Sequence, residues 1–174
     1  MSQKVKLYIA MTLDGYIADT NGEIDFLSSY GKDGEDYGYH LFMETIDTVI
    51  IGKKTYDQVL KFDHGYPYQD QMTYVLTHKK LSSKDKVVFT DDINSMMTQI
   101  KASSKKDIFL IGGAQVIKLM LDNDLIDEFH ISIIPTLLGD GIRLFLEHET
   151  SQDLKLIKTD TYKDGIVKLI YVKK

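Results

Sequence analysis

The chain contains no cysteine. Disulfide crosslinks, thiol nucleophiles and cysteine-held zinc are therefore all excluded. It has no apolar run of about 18 residues, so no membrane-spanning helix is expected. Thr12 and Asp14 interrupt the apolar stretch near the start, which does not read as a secretory signal, and a cytoplasmic location is the default expectation. Positive charge is not in excess. Lys and Arg number 21 against 26 Asp and Glu, a net charge of −5, whereas a nucleic-acid-binding face would be basic. There is no Walker A lysine motif and no Gly-x-Ser-x-Gly elbow. His40, His64, His78, His130 and His148 fall at no metal-ligand spacing, so no metal site is expected. Repeats, low-complexity tracts and linkers are absent as well.

What is present describes an ordinary soluble domain. Its 174 residues are 43% hydrophobic and 27% charged, enough for one domain, residues 1–174, with a substantial core. Val5 to Met11 reads as a strand that becomes fully buried. The loop from Thr12 to Gly22 follows, bent at Asp14-Gly15 and Asn21-Gly22; its length, with Ile17 inside it, favours a functional role. After the polar stretch from Ser28 to Gly38, Tyr37 to Ile46 reads as a helix whose first turn is weakened by Gly38. Thr48 to Gly52 is a buried strand, and Lys53 to Leu60 a helix. Met72–Thr77 and Lys86–Thr90 are further strands. Ile93, Met96, Met97 and Ile100 mark one face of a helix capped by Asp91 or Asp92. Phe109 to Ile111 is a short strand, and Ala114 to Leu121 a helix after a glycine pair. Asp127 to Pro135 is another strand. Leu154–Thr161 and Ile166–Val172 form a hairpin around Lys163-Asp164-Gly165.

Helices separate the early strands while the tail is antiparallel. The expected fold is therefore α/β: a three-layer sandwich with a mixed, mostly parallel eight-stranded sheet, helices on both faces and a C-terminal antiparallel hairpin. In such sheets ligands bind beyond the carboxyl ends of the strands. Gly52, Thr77, Gly112 and the loop after Met11 all map to that edge. Gly112 and Gly113 remove side chains where a helix begins, and backbone N–H groups at a helix start suit a phosphate. The same glycine pair also fits a tight turn that binds nothing.

Three stretches together resemble the dihydrofolate reductase superfold, and more closely the riboflavin-biosynthesis reductase family, the C-terminal domain of the bifunctional deaminase-reductase. They are Met11-Thr12-Leu13-Asp14-Gly15-Tyr16-Ile17-Ala18, then Ile111-Gly112-Gly113 before a helix, and Leu125-Ile126-Asp127-Glu128 leading to Ile134-Pro135-Thr136-Leu137-Leu138-Gly139-Asp140-Gly141-Ile142-Arg143-Leu144-Phe145. The last is the most specific. The resemblance implies NADPH as cofactor, a small pyrimidine- or pterin-like substrate and a homodimer. It implies that Ala10 and Ile17 flank the nicotinamide, with Asp14 in the same cofactor loop. Gly52, Lys53, Lys54 and Thr55 would hold phosphate at a helix start. Lys53 would face the 2′-phosphate beside Thr77, His78 and Lys79. Ile111, Gly112, Gly113, Ala114, Gln115 and Val116 would take the pyrophosphate.

In dihydrofolate reductases the proton-donating acid lies on the helix before the second strand. Asp36 falls there, with Ser132 where a hydroxyl partner would be. A donor carboxyl needs an apolar pocket and a raised pKa; the alternative for Asp36 is a helix cap. The sequence departs from folate reductases near Gln71, where the arginine that grips the substrate's glutamate tail is missing; Arg143 is the chain's single arginine. Acids also outnumber Lys32 and His40 between Glu23 and Glu44, where a substrate phosphate would want cations. The alternatives are reduction of folate or of another small carbonyl or imine, and a non-catalytic nucleotide-binding dimer module. The apolar strand from Phe129 to Ile134 and Leu137-Leu138 offer a dimer surface, or else an ordinary central strand.

Overall fold

The computed structural model describes residues 3–32, 34–62, 65–148 and 151–174; His64 lies outside them. Eight strands form one sheet: β1 (Val5–Thr12), β3 (Ile46–Gly52), β4 (Met72–Leu76), β5 (Val87–Thr90), β6 (Asp107–Gly112), β7 (Glu128–Ile134), β9 (Leu154–Thr161) and β10 (Val167–Lys173). Their order is β5-β4-β3-β6-β1-β7-β10-β9. Pairing is parallel from β5 to β7 and antiparallel where β10 meets β7 and β9. The helices are α1 (Tyr39–Glu44), α2 (Lys53–Val59), α3 (Ile93–Ser103) and α4 (Ala114–Asp122).

Strand alternation sorts the core into two layers. On β1, Val5 and Leu7 face α3 and α4, packing with Met96, Ile100, Ile117 and Met120. Tyr8 points the other way, toward Phe42 of α1 and Phe109 of β6. Each fully buried Leu, Ile or Met contributes roughly 1.5–3 kcal/mol, so the α3–α4 layer, which holds Leu7, Met96, Ile100, Leu110, Ile117 and Met120 at no more than 1% exposure, is the stronger half. Asp92 caps α3 by accepting from the Ser95 N–H at 2.9 Å, one of the two residues expected there. The expected hairpin closes at Gly165, whose N–H donates to the Tyr162 carbonyl.

Two expectations shift. The helix read as Tyr37–Ile46 begins at Tyr39, because Tyr37 (φ 54°) and Gly38 (φ 76°) sit in the left-handed region and cannot open it. The long loop after β1 contains β2 (Tyr16–Ala18), which pairs with β8 (Ile142–Arg143); strands of three and two residues leave no periodic signal. Of the two readings of Phe129–Ile134, the strand itself fits the central-strand one. β7 lies inside the sheet between β1 and β10, and burial on both faces explains its apolar sequence. Leu137, at 72% exposure, does stand on the surface. Among the described residues no helix is long and apolar enough to cross a membrane.

Candidate functional site

Two helix starts meet at the carboxyl edge of the parallel strands. Ile51 of β3 pairs in register with Gly112 of β6, and Gly52 with Leu76 of β4. α2 then begins at Lys53 and α4 at Ala114, with Gly52 and Gly113 as N-caps that supply no side-chain cap. The glycines are needed for this approach. A Cβ on Gly52 would lie 2.9 Å from Cγ2 of Val116, and one on Gly113 would lie 3.2 Å from Oγ1 of Thr55. Gly112 has φ +113°, and its peptide bond to Gly113 is cis. Ile111, Gly112, Gly113, Ala114, Gln115 and Val116 thus share one edge with Gly52, Lys53, Lys54 and Thr55. Two adjacent N-termini whose caps leave the approach open form a cradle suited to a diphosphate.

The basic residues sit at the rim. The Lys53 ammonium donates to Asp57 at 2.5 Å, and Lys54 is exposed. After β4, Thr77 accepts from the Lys79 N–H at 3.1 Å and donates its own N–H to the Thr90 carbonyl. His78 is fully in solvent, 4.0 Å from Asp91. Among the described residues no cluster of three or more His, Cys, Asp or Glu could hold a metal ion.

Asp14 is engaged within the fold. Its carboxylate accepts from the Thr12 hydroxyl at 2.5 Å, the Gly139 N–H at 2.7 Å and the Leu138 N–H at 3.2 Å. The Thr12 bond first, then the Gly139 N–H, pull its pKa to about 2. The carboxylate is committed to tying the first loop to the turn at 136–141. Leu13 donates to the Thr136 carbonyl and Leu144 to that of Gly15, and Gly141 (φ 149°) packs so tightly on the Ala18 carbonyl that a Cβ would overlap it. Asp14 therefore positions the loop that carries Ile17. Ala10 is half-buried on β1, in register with Ser132.

Asp36 is engaged as well. Its two carboxylate oxygens accept from the Gly38 N–H at 2.8 Å and the His40 N–H at 3.0 Å. These bonds, His40 first, hold the carboxyl below the usual carboxylate range, opposite to what a neutral-pH proton donor needs. Of its two readings, the structure favours the cap. Ser132 is buried on β7, and no hydrogen bond joins it to Asp36.

On the α1 side of the sheet lies a groove of about 640 Å³, lined by Tyr8, Phe42, His130, Asp160, Tyr162 and Lys168 among others. Lys168 is 5% exposed. Its ammonium donates to the Tyr37 carbonyl at 2.6 Å and lies 5.5 Å from the Tyr8 ring centre; the Tyr8 hydroxyl donates to the same carbonyl at 3.1 Å. Burial pushes the Lys168 ammonium below the usual lysine value and the Tyr8 phenol up. Sequence reasoning missed this lysine. The signal was there: on the alternating run at 166–172, Lys168 shares a face with Ile170 and Val172.

The base of the same face carries an ionic cluster. Glu128 meets Lys4 at 2.7 Å and His130 at 3.1 Å, while Lys6 meets Asp107 at 2.7 Å.

Known proteins resemble the chain in sequence and fold. The uncharacterized protein YwjB of Bacillus subtilis (strain 168) is 39% identical over 176 residues, covering 99% of both chains. A crystal structure from Shewanella sp. PV-4, whose assignment to riboflavin biosynthesis is provisional, is 33% identical, covers 100% of this chain and 99% of that one, and superposes with a TM-score of 0.89. The dihydrofolate reductase of Enterococcus faecalis, complexed with NADP(H), has the same fold, with a TM-score of 0.73 at 15% identity over 100% of this chain and 99% of that one. The sequence pattern of the RibD C-terminal domain matches residues 3–168. Paired glycine helix starts on a dihydrofolate reductase-like sheet and a match over nearly the whole chain give one conclusion: the protein belongs to the RibD C-terminal domain family of reductases.

Proposed function

We propose that the protein is an NADPH-dependent reductase acting on a pyrimidine- or pterin-like small molecule, and that 5-amino-6-(5-phosphoribosylamino)uracil is the nearest known substrate. The observation that carries this reading is the meeting of the α2 and α4 starts at one sheet edge, so close that a Cβ on Gly52 would press on Val116 and one on Gly113 on Thr55. Bound there, the cofactor would supply a hydride. The chain's own part is to hold and orient. Gly113, Ala114, Gln115 and Val116 take the pyrophosphate, and Gly52, Lys53, Lys54 and Thr55 the neighbouring phosphate, with Ile111 and Gly112 shaping the edge. Lys53, Thr77, His78 and Lys79 favour the 2′-phosphate, for which Lys53 must be shared with Asp57. Ala10 and Ile17 bracket the nicotinamide, and Asp14 fixes the loop that presents Ile17.

Folate reduction finds less support. The Arg143 guanidinium stands 4.9 Å from the Tyr16 ring centre and donates to the Tyr16 hydroxyl at 3.2 Å, so it is held on β2–β8 and not at the Gln71 end. The test is NADPH oxidation against dihydrofolate and 5-amino-6-(5-phosphoribosylamino)uracil in parallel. Turnover of the aminopyrimidine is expected. Turnover of dihydrofolate alone would replace this reading with the folate one, and turnover of neither would overturn the reductase reading.

A further inference from the structure

With Asp36 bound up as a cap, the reductase reading lacks a proton source, and Lys168 stands where one is needed. Register places Ala10, Ser132, Lys168 and Asp160 side by side across β1, β7, β10 and β9. In-register neighbours point to the same face, with Cβ atoms about 5 Å apart. Lys168 is thus the second neighbour of Ala10 and the direct neighbour of Ser132. Its ammonium also reaches the start of α1, where a Cβ on Gly38 would lie 3.1 Å from Nζ. That is the corner between helix start and sheet at which the acid was sought in the sequence.

The charge of Lys168 is otherwise unexplained. Among the described residues it has no carboxylate within ion-pair distance; its hydrogen-bond acceptor is the neutral Tyr37 carbonyl. Burying an ammonium without a counter-ion is costly, and purely structural pairing would have used the carboxylate opposite it. Asp160 instead pairs with Lys158 at 2.9 Å. Lys168 is one of the residues that line the groove.

We propose that Lys168 is the catalytic proton donor of this reductase, giving its Nζ proton to the heteroatom of a substrate C=N or C=O bond. This rests on the reductase reading above. The carbon of that bond takes a hydride and the nitrogen or oxygen takes the proton from Nζ. Both electrons come from the reduced nicotinamide, which leaves oxidised, and the neutral amine regains a proton from water in the groove. Burial lowers the lysine pKa, which brings it closer to the working pH of a general acid. The charged and titratable groups around it are Asp160 and Lys158 on β9, Asp36 and Glu35 before α1, Tyr8 on β1 and His130 on β7.

The test uses the full chain with NADPH and 5-amino-6-(5-phosphoribosylamino)uracil in single-turnover mixing. Lys168→Met is expected to slow hydride transfer at least ~100-fold, the usual weight of a general acid, with NADPH affinity unchanged. Wild-type rate should fall as pH rises through the Lys168 pKa, and that limb should be missing in Lys168→Arg, which keeps the charge but does not release a proton in this range. A readout without turnover is the Cε resonance of Lys168, which should move when the aminopyrimidine joins the oxidised-cofactor complex. A Lys168→Met enzyme within about threefold of wild type, a Lys168→Arg enzyme at full rate or an unmoved resonance would overturn the proposal alone. If Lys168→Met fails to fold, the arginine variant and the wild-type pH limb decide. A wild-type protein that binds NADPH but reduces neither this compound nor dihydrofolate overturns Lys168 together with the reductase reading.

Discussion

Replacing Glu128 by Gln should remove a defined, pH-dependent share of stability. Glu128 opens β7 and is 8% exposed. The His130 bond first, then Lys4 and the nearby Lys6, pull its carboxyl against a burial penalty from the ordinary 4.5 to about 2. A tenfold change in proton affinity is worth about 1.4 kcal/mol, so the full shift corresponds to roughly 3 kcal/mol. The Lys4 side chain is 51% exposed, and solvent screening of its share reduces the expected loss to about 2 kcal/mol at pH 7. The sign follows from the depressed pKa. The contribution is fully present above about pH 4.5 and fades as pH falls toward about 2. Urea unfolding of wild type and Glu128→Gln across that range, at fixed ionic strength, measures it. A stability gap that stays constant from pH 7 to pH 3 would refute the reasoning, because it would come from packing and not from ionisation.

Other consequences concern the site. Lys53→Glu should cut the preference for NADPH over NADH by about 10- to 100-fold, the range for losing one charged hydrogen bond; comparative titration of both nucleotides checks it, and unchanged preference removes Lys53 from the 2′-phosphate. Asp14→Ala should free the 136–141 turn from the first loop, seen as faster amide exchange at Leu138 and Gly139 and weaker cofactor binding. Unchanged exchange there would show that the backbone bonds of Leu13 and Leu144 suffice. Asp36→Asn should leave the pH dependence of hydride transfer as it is, since an asparagine oxygen still caps. A lost pH limb in that variant would return the acid role to Asp36.

The parts of the fold that sequence reasoning captured were those with strong periodicity or a required glycine. Ile93, Met96, Met97 and Ile100 defined α3, and the apolar runs at 48–52 and 109–111 defined central strands because both their faces are covered. Gly52 and Gly112-Gly113 were legible as features of the site edge, since each marks a strand giving way to a helix. What escaped depended on partners distant in sequence. Asp14 reads only as part of the cofactor loop, because Leu138 and Gly139, whose N–H groups its oxygens accept from, lie more than 120 positions later. The cap reading of Asp36 was legible, because its partners Gly38 and His40 are local. β7 looked like an interface because its covering strand, β10, comes only after an intervening loop and β9. Lys168 was passed over although it shares a face with Ile170 and Val172, because a lysine in an alternating strand reads as solvent-facing.

The central claim is that the paired helix starts hold a nicotinamide dinucleotide. Titration of the full-length protein with NADPH, followed by nicotinamide fluorescence, tests it most directly. Saturable binding at one equivalent per chain, weakening as salt rises and much reduced in Gly113→Val, is the result expected. No saturable binding of NADPH or NADH, or binding indifferent to the Gly113 substitution, would contradict it.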